Sequence, residues 1–278
     1  MNPKTIIIHL PSGDPTGIKI AELSNRIIRG YVLPREKLAE AKIFEELSKP
    51  ALYILVSKDG EQAYIGETEN FLSRISTHGS DTEKDYWDLV LVFVSKDSSL
   101  EKSDVGYLEA IAVAQAKEAA KCEIHNRTIP TKNNLHQFKV SAIEEFFEDV
   151  SILSSAFGYP VFDVLREEEI KDNDVWICTT KKTHARAVFD GGKFIILAGS
   201  KIDPNAADSW KSAFPSSLEE RERIFEKSGE LIDGIITLKD NVTFRSPNHA
   251  GGFAAGRNVN AWITWKNSDG KTMDEVLR

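Results

Sequence analysis

The chain has 278 residues, 41% of them hydrophobic and 28% charged, with a formal net charge of -8. That length holds one large domain or two ordinary ones, and the composition excludes a disordered or fibrous chain. The acidic balance excludes coating of nucleic acid by bulk charge, but leaves room for a local basic cleft.

The first element in chain order is KTIIIHL (4–10), a β-branched run of strand type closed by the turn-rich PSGDPTG. Its apolar part is too short for a secretory h-region. IKIAEL is placed to pair back on it, and a short helix is expected over 35–48 before Pro50 resets the chain. ALYILVS (51–57) and QAYIGE flank KDGE, whose Asp-Gly is a strong hairpin signal. Thr68 is the expected N-cap of a helix over 69–78, with Phe71, Leu72 and Ile75 inward and Gly79 ending it. YWDLVLVFVS (86–95) is a strand apolar enough to be buried on both faces. Ser103 and Asp104 open an Ala-rich helix that runs to about Cys122, and a further helix is expected over 141–156. The polar run REEEIKDND (166–174) is a linker, with a domain boundary near 165. Beyond it lie DVWICTT, ARAVFDGGKFIILAGS, a helix over 217–231 and a tail containing Gly and Trp. The two cysteines, Cys122 and Cys178, give neither a disulfide framework nor a metal-ligand spacing, so a reducing, cytoplasmic location is expected. No stretch approaches the roughly 20 apolar residues of a membrane span.

Several residues of the first half resist a purely structural explanation. Arg74 has no acidic neighbour three or four residues away on its helix and shares a face with His78. Glu109 lies among small apolar residues with no cation in helical reach, so its carboxylate calls for a metal ion or a basic group from another element. Tyr53 and Tyr64 lie on the two arms of the hairpin and should be close across it. Two phenols, a guanidinium, an imidazole and a carboxylate suit phosphoryl chemistry: the Arg binds phosphate oxygens, the carboxylate holds a divalent ion, and a phenol or imidazole moves the proton. Each residue alone has an ordinary structural explanation; the ordered set carries the weight.

That set resembles a GIY-YIG nuclease domain over roughly residues 50–130. Ala51-Leu52-Tyr53 stands for the first signature strand, with Ala and Leu replacing Gly and Ile, and Tyr64-Ile65-Gly66 is the second. Arg74, His78, Glu109 and Asn126 follow in the family's order. The resemblance implies a hydrolase: an endonuclease cleaving phosphodiester bonds, with DNA as the expected substrate and one Mg²⁺ or Mn²⁺ held by Glu109. It implies Arg74 on the non-bridging oxygens, Tyr53 as general base and His78 as proton relay. Tyr64 would orient the water or phosphate, and Asn126 would steady the network around the metal. Family analogy suggests defence, restriction or repair. The rival reading is a non-catalytic nucleic-acid-binding or regulatory protein that keeps the fold.

The second half resembles the domain of unknown function, DUF4357-like, that accompanies such nucleases. Its marks are Ser246-Pro247, the Ala/Gly segment leading to Gly256-Arg257, and Asn260 through Trp265-Lys266. GGFAAGRN lacks the Lys-Ser/Thr of a phosphate loop and does not follow a strand, which excludes that motif. Arg245, Arg257 and Lys266, near Trp262 and Trp265, are candidate nucleic-acid contacts. The expected class is α/β (α+β): a small mixed sheet flanked by helices, plus a second small α+β accessory domain. The expected divisions are an N-terminal extension (1–49), the nuclease-like domain (50–135), a helical connection (136–165) and the accessory domain (166–278).

Overall fold

The structure is a computed structural model that describes residues 3–278 apart from 79–85, 129, 133, 166–169 and 191–192, and only the backbone at 77, 78 and 173. The chain divides into two compact units, Met1–Val164 and Leu165–Arg278. No helix among the described residues is long and apolar enough to cross a membrane.

The first unit is built on a seven-stranded mixed sheet. Its strands are β1 (Ile6–His9), β2 (Lys19–Leu23), β3 (Ile28–Pro34), β4 (Ala51–Ser57), β5 (Gln62–Thr68), β6 (Trp87–Ser95) and β7 (Glu123–Ile124), in spatial order β1-β2-β3-β6-β4-β5-β7. Neighbours are antiparallel except for β5 and β7, which run parallel. The strands of the N-terminal segment therefore belong to this sheet. β3 pairs with β6 in register from Ile28↔Ser95 to Pro34↔Leu89, so the N-terminal strands extend the same sheet.

Both faces of this sheet are covered. On one, Leu52, Ile54, Ile65, Leu91 and Phe93 pack against helices α2 (Lys102–Ala119) and α3 (Gln137–Ala156). On the other, Tyr53, Leu55, Val90 and Val92 pack against helix α1 (Phe71–His78) and the 35–48 segment. β4 is accordingly buried at every position, which is why its sequence is a continuous apolar run. The short helix expected over 35–48 is three 3₁₀ turns, Arg35–Lys37, Glu40–Ile43 and Glu45–Ser48. Its inward residues Leu38, Ala41, Phe44 and Leu47 recur every third position, which matches three residues per turn and not 3.6. α2 starts one residue before its expected opening, with Glu101 and Asp104 forming a capping box, and ends at Ala119 with Ala120 left-handed.

The second unit also has a seven-stranded sheet, of β8 (Trp176–Thr179), β9 (His184–Asp190), β10 (Lys193–Ile196), β11 (Lys201–Ile202), β12 (Gly229–Ile232), β13 (Ile235–Leu238) and β14 (Val242–Phe244). Helices α4 (Asp208–Ala213) and α5 (Pro215–Ser228) lie between β11 and β12, and α6 (Pro247–Ala255), α7 (Ala261–Thr264) and α8 (Met273–Leu277) follow β14. Residues from α5 onwards pack with Trp176, Cys178, Ala185, Phe194 and Ile236 on one face of the sheet. The helix expected over 217–231 stops at Ser228, and the chain turns into the β12–β13 hairpin. Asp233 (φ 51°) and Gly234 (φ 75°) make that turn, the left-handed pair that suits a two-residue hairpin loop.

Candidate functional site

The site starts from the β4–β5 hairpin. Tyr53 lies opposite Gly66 and Leu55 opposite Tyr64, so the two tyrosines are diagonal neighbours on one face, not a direct cross-strand pair. Their ring centroids are 6.3 Å apart. Gly66 makes the arrangement possible: a Cβ there would fall 2.5 Å from the Tyr53 hydroxyl. The ring of Tyr53 occupies the space that any side chain at 66 would need.

α1 delivers Arg74 to this pair. The cap is Asn70 and not Thr68: the Asn70 Oδ1 accepts from the Ser73 amide at 3.0 Å, while Thr68 closes the preceding turn on Asn70. Arg74 Nε donates to the Tyr53 hydroxyl at 3.4 Å, and its guanidinium acts on the Tyr64 phenol as well. Arg74 also lines an open cleft of about 480 Å³ with Glu67, Thr68, Glu69, Asn70, Ser73 and Lys102. His78 ends α1, and its side chain lies outside the described residues.

The two phenols differ in exposure. Tyr53 is fully buried, and burial pushes its phenol well up from the ordinary range despite the Arg74 contact. Tyr64 is half-buried and is also pushed up, by burial and by the charge of Glu109, with Arg74 opposing the rise.

Glu109 projects from α2. It is half-buried, and among the described residues it forms no hydrogen bond or ion pair. Burial and then the nearby Glu67 charge raise its carboxyl above the usual range, while Lys102 and Arg74 pull it down. Lys102 stands two turns earlier on the same helix face and holds Glu67 at 2.6 Å. The spacing of Lys102 and Glu109 was visible in the sequence; the pairing of Lys102 with Glu67 on β5 was not.

Asn126 is anchored to the backbone of β5. Its Oδ1 accepts from the Ile65 amide at 3.0 Å, and its Nδ2 donates to the Ile65 carbonyl at 2.7 Å. The side chain is 8% exposed and continues the β7 pairing two residues further along β5. Both ends of its amide are engaged by the backbone between Tyr64 and Gly66, so it positions that strand. Sequence reasoning missed Tyr86, which stacks on His125 at 4.4 Å and whose buried hydroxyl has no partner among the described residues. Its charge interaction with Tyr64 places it beside the site.

The three basic residues expected on the second unit separate. Arg245, Arg257 and Lys266 are all exposed. Arg245 follows the edge strand β14, and Arg257 follows the left-handed Gly256 that ends α6. Lys266 pairs its backbone with Ile177 beside β8. Trp265 is core, while Trp262 lies under the Arg278 guanidinium at 4.0 Å. Among the described residues no group of three His, Cys, Asp or Glu side chains is gathered for a metal ion.

Comparison with known families matches residues 49–109 to the GIY-YIG catalytic domain and residues 176–277 to a domain of unknown function, DUF4357. No curated protein and no solved structure matches the chain. The first match ends at Glu109, so Asn126 lies beyond it.

Proposed function

Starting from a chain that carries a GIY-YIG domain of nuclease type and a DUF4357 domain, we propose that the first unit is an endonuclease hydrolysing phosphodiester bonds in DNA, with one Mg²⁺ or Mn²⁺ held by Glu109. The observation that carries this reading is the joining of Arg74 to both phenols beside a half-buried carboxylate that has no ion-pair partner among the described residues.

The residues present fit a divalent ion. Glu109 bears the cost of a charge partly out of water without an ion-pair partner among the described residues, and Mg²⁺ commonly takes one or two carboxylates and completes its shell with water and substrate phosphate. When bound, such an ion neutralises charge that develops on phosphate and leaving oxygens. Arg74 supplies planar N–H donors to the non-bridging oxygens, and its place on the wall of the cleft supports that role. Tyr53, locked between β4, Gly66 and α1, holds the guanidinium from behind. Tyr64 is the phenol with access to water, and it orients the nucleophile or takes its proton. Glu109's charge opposes loss of the Tyr64 phenol's own proton, so compensating Glu109 favours the Tyr64 phenolate that takes one from the nucleophile. Asn126 fixes the β5 backbone on which Tyr64 stands.

The test is cleavage of supercoiled plasmid in Mg²⁺, Mn²⁺ and EDTA by wild type beside Glu109→Gln and Arg74→Ala. Metal-dependent nicking, reduced at least about 100-fold in either variant, is the expected result. Undiminished cleavage by Glu109→Gln would overturn the assignment, and no cleavage of DNA by folded wild type would remove DNA hydrolysis from the reading.

A further inference from the structure

The second unit carries a sheet face that its helices leave open. Side chains alternate along β9: Ala185 and Ala187 point into the helix-covered core, while His184 and Arg186 are exposed on the opposite face. Pairing carries that face outward in both directions. Arg186 is opposite Ile177, which is opposite Lys266. His184 is opposite Thr179 on one side and Lys201 on the other. Lys181 and Lys182, both exposed, lie in the turn between β8 and β9 at the same end. Lys266 and Lys201 are three strand spacings apart, about 14 Å.

These six residues form no side-chain hydrogen bond or ion pair among the described residues, in a chain whose net charge is -8. Glu275 feels Lys266, but its carboxylate is spent on the capping box of α8. On the same face Glu230 is separated from Lys201 by Thr237, at the far edge of the sheet. The apolar part of the face, Val188, Ile195 and Leu197, is covered by Leu165 and Ile170, while the cationic part is left exposed. Lys and Arg side chains held at sheet spacing, without partners among the described residues, are complementary to a rigid polyanion. A duplex presents about one negative charge per 1.7 Å of axis, several within the width of this face.

We propose that this open face of the second unit binds the phosphate backbone of nucleic acid, without base readout. Lys266, Arg186, His184 and Lys201 form its floor, and Lys181 and Lys182 its rim. The choice of nucleic acid among polyanions rests on the nuclease reading of the first unit. Among the described residues the face has no exposed aromatic ring that would stack single-stranded bases, so its natural occupant is a duplex.

The experiment is fluorescence anisotropy of a labelled duplex with the full chain in EDTA, over a range of salt. Wild type is compared with the quadruple variant K181A/R186A/K201A/K266A and the charge-conserving variant R186K/K201R. The expected result is a plot of log affinity against log salt that is shallower in the quadruple variant by about 0.9 for each phosphate no longer neutralised, and unchanged in the conserving one. Equal slope and affinity in a folded quadruple variant would overturn the proposal. So would wild type that binds anionic phosphatidylserine vesicles through these residues but no duplex. Plasmid cleavage separates the two readings. Metal-dependent cleavage with binding indifferent to this face keeps the nuclease and removes the proposal; face-dependent binding without cleavage does the reverse.

Discussion

β4 in the first unit is buried at all seven positions, whereas β9 in the second alternates exposed and buried over its first four. The first sheet is packed on both faces, so the side chains around Tyr53 are fixed from two directions. The second sheet is packed on one face by helices and leaves much of the other in water. A doubly covered sheet can hold a few groups at defined distances, which is what chemistry on a phosphate needs. A sheet covered on one side offers area and repeated charge, which is what tracking a polyanion needs. One chain carries both designs, and substitutions that cost much in one should cost little in the other.

The largest contrast is expected at Asn126. Asn126→Ala leaves the buried N–H and C=O of Ile65 without partners, and each such loss costs about 1–3 kcal/mol. A drop of about 3 kcal/mol in unfolding free energy is expected, with cleavage falling alongside it because β5 carries Tyr64. Lys201→Ala on the open face should change stability by no more than about 0.5 kcal/mol. Urea denaturation of both variants checks the contrast, and equal losses would remove the distinction between the sheets.

Gly66→Ala comes next. The added methyl meets the Tyr53 ring at 2.5 Å, so either ring or strand must shift. Overpacking of this kind typically costs about 1–3 kcal/mol. Because Tyr53 is the anchor of Arg74, cleavage should fall by more than stability alone accounts for. The double variant Gly66→Ala with Tyr53→Phe separates the two effects. Removing the hydroxyl relieves part of the clash, so stability should recover while activity does not.

These residues also mark how far the sequence could be followed. The hairpin was legible because Asp59-Gly60 and the runs on either side are local signals, and the order Tyr, Tyr-Ile-Gly, Arg, Glu was legible because it is a motif. The role of Asn126 was not, because a side chain that substitutes for a strand partner depends on which strand arrives beside it. The helical segment over 35–48 was legible, but its 3₁₀ type is marked only by Leu38, Ala41, Phe44 and Leu47 repeating every three residues. The membership of β1 to β3 in the main sheet depends on β3 pairing with β6, some sixty residues away, and no local pattern announces that. The cationic face is dispersed over residues 181–266, and only the register of β8, β9 and β11 gathers it.

The smallest effect expected is the most diagnostic of charge in the closed unit. Glu109 is held above its ordinary carboxyl range by burial and by Glu67. A carboxyl whose pKa is raised on folding binds more protons in the native state than in the unfolded one between the two values. Stability therefore falls as pH rises through that window, and the cost is fully present above it. Glu109→Gln removes the charge and keeps the shape. In metal-free buffer at neutral pH the variant should melt higher than wild type, by no more than about 3 °C. Below the ordinary carboxylate range both states of the wild type are protonated, and the difference should vanish. Added Mg²⁺ should then raise the melting temperature of wild type and leave Glu109→Gln where it was, since only the wild type gains a ligand for its native state. A variant no more stable than wild type at neutral pH would show that Glu109 already has its cation within the chain, and the carboxylate would no longer be the place for a metal.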